Sequence, residues 1–336
     1  MKVKLLCALL FVIAATIAPS RSLLASECGE ISIARMHWQS AALLAEIDKL
    51  ILTEGYGCPV TLVPGDTIPT FQSMNERGAP DVAPELWINS IREQLDKAVD
   101  EQRLFYGAKA LADGGIEGWW IPHYVALTHP HITNVAEALK HPEIFIDPED
   151  PEKGAVHNCP PDWSCSISTR NLFKAFEAEK KGFRLVEASS AEELRKSIID
   201  AFEGRKGWLG YYWAPTALLG RYDMVRLSFG APYNKTEWDS CTAVADCEDP
   251  KPNGWPSALA YTVVTKKMRD ASPRAFDYLS RRSWHNSTIN RLLAWMEEND
   301  ATPEQAARHF LEEDDEIWMR WVTLDAANKI GGALDD

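Results

Sequence analysis

From Glu30 onward the apolar positions follow two rhythms that take turns along the chain. Ile31-Ser32-Ile33-Ala34-Arg35 alternates as a strand does and leads to Trp38. Ser40 then stands as an N-cap for a helix burying Leu43, Leu44, Ile47, Leu50 and Ile51, with Gly55 or Gly57 closing it. Val60-Thr61-Leu62-Val63 is the next strand. Pro64-Gly65-Asp66-Thr67 turns into a second helix ending near Gly78, and Asp81-Val82-Ala83 opens a third strand that delivers Trp87. A β-α-β-α-β order predicts parallel strands with right-handed crossovers. Trp38 and Trp87 then lie at carboxyl ends of strands, on one edge of one sheet.

A second unit follows. Trp119 to Val125 reads as a strand carrying the chain across, and residues 147–152 as a surface loop. Cys159 to Cys165 forms a tight loop, followed by a helix from about Ser166–Ser168. Residues 191–202 are an amphipathic helix, and Trp208 to Tyr212 a strand ending at Trp213-Ala214-Pro215. The chain returns with the apolar strand Ala258–Val264 and continues as helices. Thr302-Pro303-Glu304-Gln305 has capping-box spacing, and the acidic run 312–316 reads as a solvated face. The expected class is α/β in two lobes. Residues 27–121 and 233–336 form the first lobe and 122–232 the second.

Composition adds a compartment. Lys2 and Lys4, a run from Leu5 to Ala18 and small residues around Ala25 and Ser26 read as a cleaved export signal over 1–26, too short to span a bilayer. Glu27 before Cys28 speaks against a lipid anchor. Six cysteines then remain, in near-neighbour sets: Cys28 with Cys58, Cys159 with Cys165, Cys241 with Cys247. Local pairing is the simplest of the roughly 15 connectivities open to six cysteines. No CxxC pair or histidine spacing suggests zinc, and neither metal nor cofactor is expected. Losing Lys2, Lys4 and Arg21 takes the net charge from −14 to −17. Such a protein favours neither nucleic acid nor an anionic lipid surface, and weakly attracts a cationic ligand.

The tryptophans suggest which ligand. Thirteen occur, and Trp295, Trp318 and Trp321 fall inside periodic apolar segments as core residues do. Trp38, Trp87, the pair Trp119-Trp120, and Trp213 instead sit at strand ends, where α/β proteins bind small molecules. Several ring faces in one cleft make a cage for a quaternary ammonium ion, which has no proton to donate. Alternation puts Trp119 and Trp120 on opposite faces, so at most one reaches the cleft. Tyr124 and Tyr212 stand in reserve. For a ligand carboxylate the candidates are the helix starts after Trp163-Ser164 and near Thr67, and His37, His123 or Arg170. No GxSxG, HExxH, GxGxxG or phosphate-cradling glycine loop is present, and no enzyme activity is expected.

Four segments together resemble the glycine betaine/choline substrate-binding proteins of ABC importers: residues 63–67, 81–87, 118–125 (Gly-Trp-Trp-Ile-Pro-His-Tyr-Val) and 210–215 (Gly-Tyr-Tyr-Trp-Ala-Pro). The resemblance spans about residues 30–325. It implies a class II periplasmic-binding fold and a ligand clamped between lobes by an aromatic box. Trp38, Trp87 and Trp213 match the box best, with Trp119 or Trp120 as a fourth and Tyr212, Trp163 and Ser164 close by. It further implies a monomer in the periplasm whose partner is the membrane permease of an ABC importer. Choline-selective relatives carry an acidic residue shortly after the first box tryptophan. Gln39-Ser40 follows Trp38 here, which favours glycine betaine or proline betaine, then choline or carnitine. The Cys159–Cys165 loop, with Trp163 inside it, departs from shorter members and would reshape the second-lobe site. Other readings are a secreted enzyme acting on a choline- or betaine-type substrate, and a binding protein serving a sensor.

Overall fold

The computed structural model describes residues 28–89, 91–161 and 163–335, without the side chain of Ser164. The export signal expected over 1–26 lies outside these residues. Strands among them are β1 (Ile31–Met36), β2 (Val60–Gly65), β3 (Val82–Trp87), β4 (Leu104–Lys109), β5 (Ile116–Pro122), β6 (Gly154–Asn158), β7 (Phe183–Glu187), β8 (Gly210–Ala214), β9 (Met224–Arg226) and β10 (Ala260–Thr265). They form two five-stranded sheets, ordered β2-β1-β3-β10-β4 and β7-β6-β8-β5-β9.

In each sheet one strand runs against the other four: β10 in the first and β5 in the second. Each of these is the first strand formed after the chain crosses between lobes. The two crossings lie side by side, with Gly115 N donating to the Ala258 carbonyl at 2.9 Å.

The sheet pairings correct the expected boundaries. Trp119, Trp120 and Ile121 pair with β8 and β9, so the crossing precedes Ile116 rather than following residue 121. The strand starts at Ile116 and gives way to a helix, His123–Thr128. Residues 233–255 also pack with the second lobe rather than the first. Trp238 meets Trp255 at 5.3 Å within that lobe's core, and Asn171 Nδ2 donates to the carbonyls of Cys241 and Thr242.

Period-two alternation explains the layers. Ile31 and Ile33 of β1 face Leu43, Leu44 and Ile47 of helix Gln39–Leu50. Ala34 and Met36 face Phe71 and Met74 of helix Thr67–Arg77 on the other side. The C-terminal helices close over the first layer, burying Trp318 and Trp321, while Trp295 is half-buried and stacks on His309 at 4.0 Å. Inside that layer the buried Arg282 guanidinium contacts Asp48 Oδ1 at 2.7 Å, and the Tyr278 hydroxyl donates to the same oxygen. The disulfides are Cys28–Cys58, Cys159–Cys165 and Cys241–Cys247, the local pairing.

The second-lobe core has an acid-sensitive member. His157 of β6 stacks on Trp208 at 5.2 Å, and its burial pushes the imidazole down to about 4, against Asp147, which pulls it up. An unfolded histidine titrates near 6.5, so the unfolded chain takes up this proton first as pH falls. Stability is therefore full above about pH 6.5 and is lost as pH falls toward the folded value, by about 2 kcal/mol between pH 7 and pH 5. His157→Phe keeps a ring on Trp208 and removes the proton. Urea titrations at the two pH values should show a smaller difference for the variant; equal differences would assign the acid loss elsewhere.

Candidate functional site

The first-lobe wall comes from two strand ends. Trp38 follows β1 at the N-cap position of helix Gln39–Leu50, and Trp87 is the last residue of β3. Both indoles are held from behind by Glu85, which is fully buried. One oxygen, Oε1, accepts from Trp38 Nε1 at 2.8 Å, Trp87 Nε1 at 2.9 Å and Ser40 Oγ at 3.0 Å. Burial pushes the Glu85 carboxyl up, while the two indoles, Ser40 and the nearby Arg282 charge pull it down. At Gly115 the crossing passes against the Trp87 ring, and a Cβ there would overlap the ring's carbons.

The second-lobe wall is built by cross-strand pairing. Tyr211 and Trp213 share a face of β8, and Glu117 of β5 stands directly opposite Trp213. The Trp163 ring meets Trp213 edge-on at 5.2 Å from inside the Cys159–Cys165 loop, and Tyr211 stacks beside Trp213 at 6.2 Å. The Tyr211 hydroxyl donates to Glu117 Oε1 at 2.8 Å, and the Trp255 indole donates to the same carboxylate. Pro215, Thr216 and Leu293 line the cleft between the walls, whose volume is about 390 Å³. That volume suits a small organic ligand. A larger groove of about 760 Å³ runs from Arg35 to Pro64 around β2, but among the described residues no Trp, Tyr or Phe lines it.

Trp38, Trp87, Trp163 and Trp213 therefore share one cleft. The other expected aromatics do not line it. Trp119 is fully buried against Phe229, and Trp120 is buried with its Nε1 donating to the Tyr212 carbonyl at 2.8 Å. Tyr212 is buried too, and Tyr124 donates from its hydroxyl to the Ala201 carbonyl. Of the carboxylate partners considered, His37 contacts Asp66, His123 contacts Asp223, and Arg170 donates to Glu187, none of them in the cleft. Thr67 does line it, and Ser164 begins a helix directly after Trp163.

Three residues at the cleft walls, Tyr211, Glu85 and Glu117, lie outside the sequence expectations. Tyr211 and Glu85 each lie two residues before a box tryptophan, so strand alternation alone puts them on that tryptophan's face. Glu117 carried no such signal, because its place depends on the register between β5 and β8.

The model of a family described as the substrate binding domain of ABC-type glycine betaine transport systems matches residues 29–313. Among solved structures, an ABC-transporter choline-binding protein in complex with choline is similar over 91% of this chain and 98% of that one, at 16% identity and a TM-score of 0.57. A glycine betaine/L-proline-binding protein (ProX) from Borrelia burgdorferi is similar over 90% and 99%, at 17% identity and 0.57. Lactococcal OpuAC, in a closed conformation complexed with glycine betaine, is similar over 88% and 100%, at 17% identity and 0.56. These likenesses carry the fold, the two-lobed class II periplasmic-binding architecture. With the family matched over most of its length, the chain belongs to the substrate-binding domains of ABC-type glycine betaine transport systems, which are solute-binding proteins and not enzymes.

Proposed function

We propose that this protein captures a small quaternary-ammonium solute outside the cytoplasm and presents it to the permease of an ABC importer. One observation carries the reading: Trp38 and Trp87 from one lobe and Trp163, Tyr211 and Trp213 from the other converge on a single cleft. A trimethylammonium head offers no hydrogen-bond donor, so quadrupolar ring faces are the chemistry that holds it, at about 0.5–2 kcal/mol per desolvated ring. Rings on both lobes make the cage complete only when the lobes approach. Ligand would settle on one wall, closure would surround it and exclude water, and the permease would meet a surface formed by both lobes. The acidic charge and the N-terminal signal pattern support a periplasmic, monomeric protein with no nucleic-acid partner.

Calorimetry with choline, glycine betaine and carnitine tests this directly. Micromolar binding without product formation is expected. Trp87→Ala or Trp213→Ala should weaken binding more than about tenfold, since each removes a ring face and its apolar contact. Full affinity in both variants would overturn the cage.

A further inference from the structure

Among the described residues, no Lys, Arg or His lines the cleft, and one carboxylate does: Glu117. Its neighbours fix it without cancelling it. Tyr211 on β8 and Trp255 on the segment after β9 donate to the carboxylate. Arg226 on β9 donates its Nε to the Glu117 backbone carbonyl at 2.7 Å, so its hydrogen bond goes to the main chain while its charge acts on the side chain from a distance. Across the cleft, Glu85 lies behind the two indoles and adds no positive charge. A small ligand whose ammonium meets Trp213 has this carboxylate beside it, on the paired strand. A zwitterion places a second anion in the same small cleft, where no cationic side chain among the described residues receives it.

We propose that Glu117 makes this cleft selective for solutes of net positive charge, choline-like quaternary ammonium alcohols, over zwitterionic betaines. The inference rests on the cage reading above and reverses the ligand order suggested by Gln39-Ser40 after Trp38. Selectivity here is a difference between two affinities. The carboxylate attracts the ammonium of either ligand and repels only the betaine's carboxylate, so its net effect falls on the ratio.

Titrations of choline and glycine betaine into wild type, Glu117→Gln and Trp213→Ala separate the possibilities. Wild type should bind choline more tightly. Glu117→Gln, which still accepts from Tyr211, should weaken choline about tenfold or more and leave glycine betaine unchanged or improved. A second readout needs no variant. Burial pushes the Glu117 carboxyl up, against Tyr211, Trp255 and Arg226, so choline affinity should fall as the pH is lowered while that for glycine betaine changes less. Tighter binding of glycine betaine by wild type, or an equal loss of both ligands in Glu117→Gln, would overturn the charge selection. If Trp213→Ala still abolishes both, the cage survives that result. Absence of binding by either ligand in wild type would overturn the cage and the selectivity together.

Discussion

Methionine in place of Arg282 is expected to destabilise the protein by about 3–5 kcal/mol, the largest loss from any single change considered for the core. Arg282 and Asp48 have no exposed side-chain surface and lie 2.7 Å apart. Taking two charges from water costs several kcal/mol each, and their mutual attraction offsets that cost only while both are present. Methionine fills much of the volume and leaves the Asp48 carboxylate with the Tyr278 hydroxyl as its hydrogen-bond donor. Arg282 Nη2 also donates to the Pro84 carbonyl at 3.1 Å and to Thr262 Oγ1 at 2.9 Å, so the same change loosens β3 beside Glu85. Urea denaturation measures the loss, and the double change Asp48→Leu with Arg282→Met should recover most of it because no orphan charge remains. A single-variant loss below about 1 kcal/mol would mean that the pair contributes little beyond its packing.

Local pattern carried the first lobe well and the second less well. Ile31, Ile33, Leu43, Leu44 and Ile47 announce a strand and a helix by spacing alone, and the structure uses them as one layer. The strand Ile116–Pro122 begins before the apolar run that marks it, because Gly115, Glu117 and Gly118 interrupt that run ahead of Trp119. The cleft followed the same division. Trp38, Trp87 and Trp213 stand out as tryptophans at strand ends, and Trp163 as one inside a cysteine-bounded loop. Trp119 and Trp120 also fall on a strand, but β5 runs against the rest of its sheet, so Glu117 near its start lies opposite Trp213 while Trp119 and Trp120 run away from that edge and fill the lobe's core. The acids were the hardest to read. In a chain with 49 acidic residues, nothing local sets Glu85 or Glu117 apart from a solvated carboxylate. Glu85 is selected by burial and Glu117 by register, both properties of the assembled lobes.

Leucine at position 85 is expected to weaken quaternary-ammonium binding by roughly 10- to 100-fold, about 1.4–2.7 kcal/mol, although Glu85 is buried behind the rings. Glu85 Oε1 is the shared acceptor of both first-lobe indoles and of Ser40. A buried donor left unpaired costs about 1–3 kcal/mol, so without that oxygen each indole N–H gains by turning toward water. Turning an indole to hydrate its N–H also turns its face away from the ligand, and the cage is lost on one side. The anionic acceptor does more than hold the rings, since a hydrogen bond to a carboxylate pushes electron density into each indole and deepens the potential a cation feels. Glutamine keeps an oxygen for the indoles and loses the charge, so Glu85→Gln should fall between wild type and Glu85→Leu. The order wild type, Gln, Leu in calorimetric affinity, with a red shift of tryptophan emission in the Leu variant, would fit a carboxylate that positions the rings. Full affinity in Glu85→Leu would mean that packing alone orients Trp38 and Trp87, and that the three hydrogen bonds serve only to bury the acid.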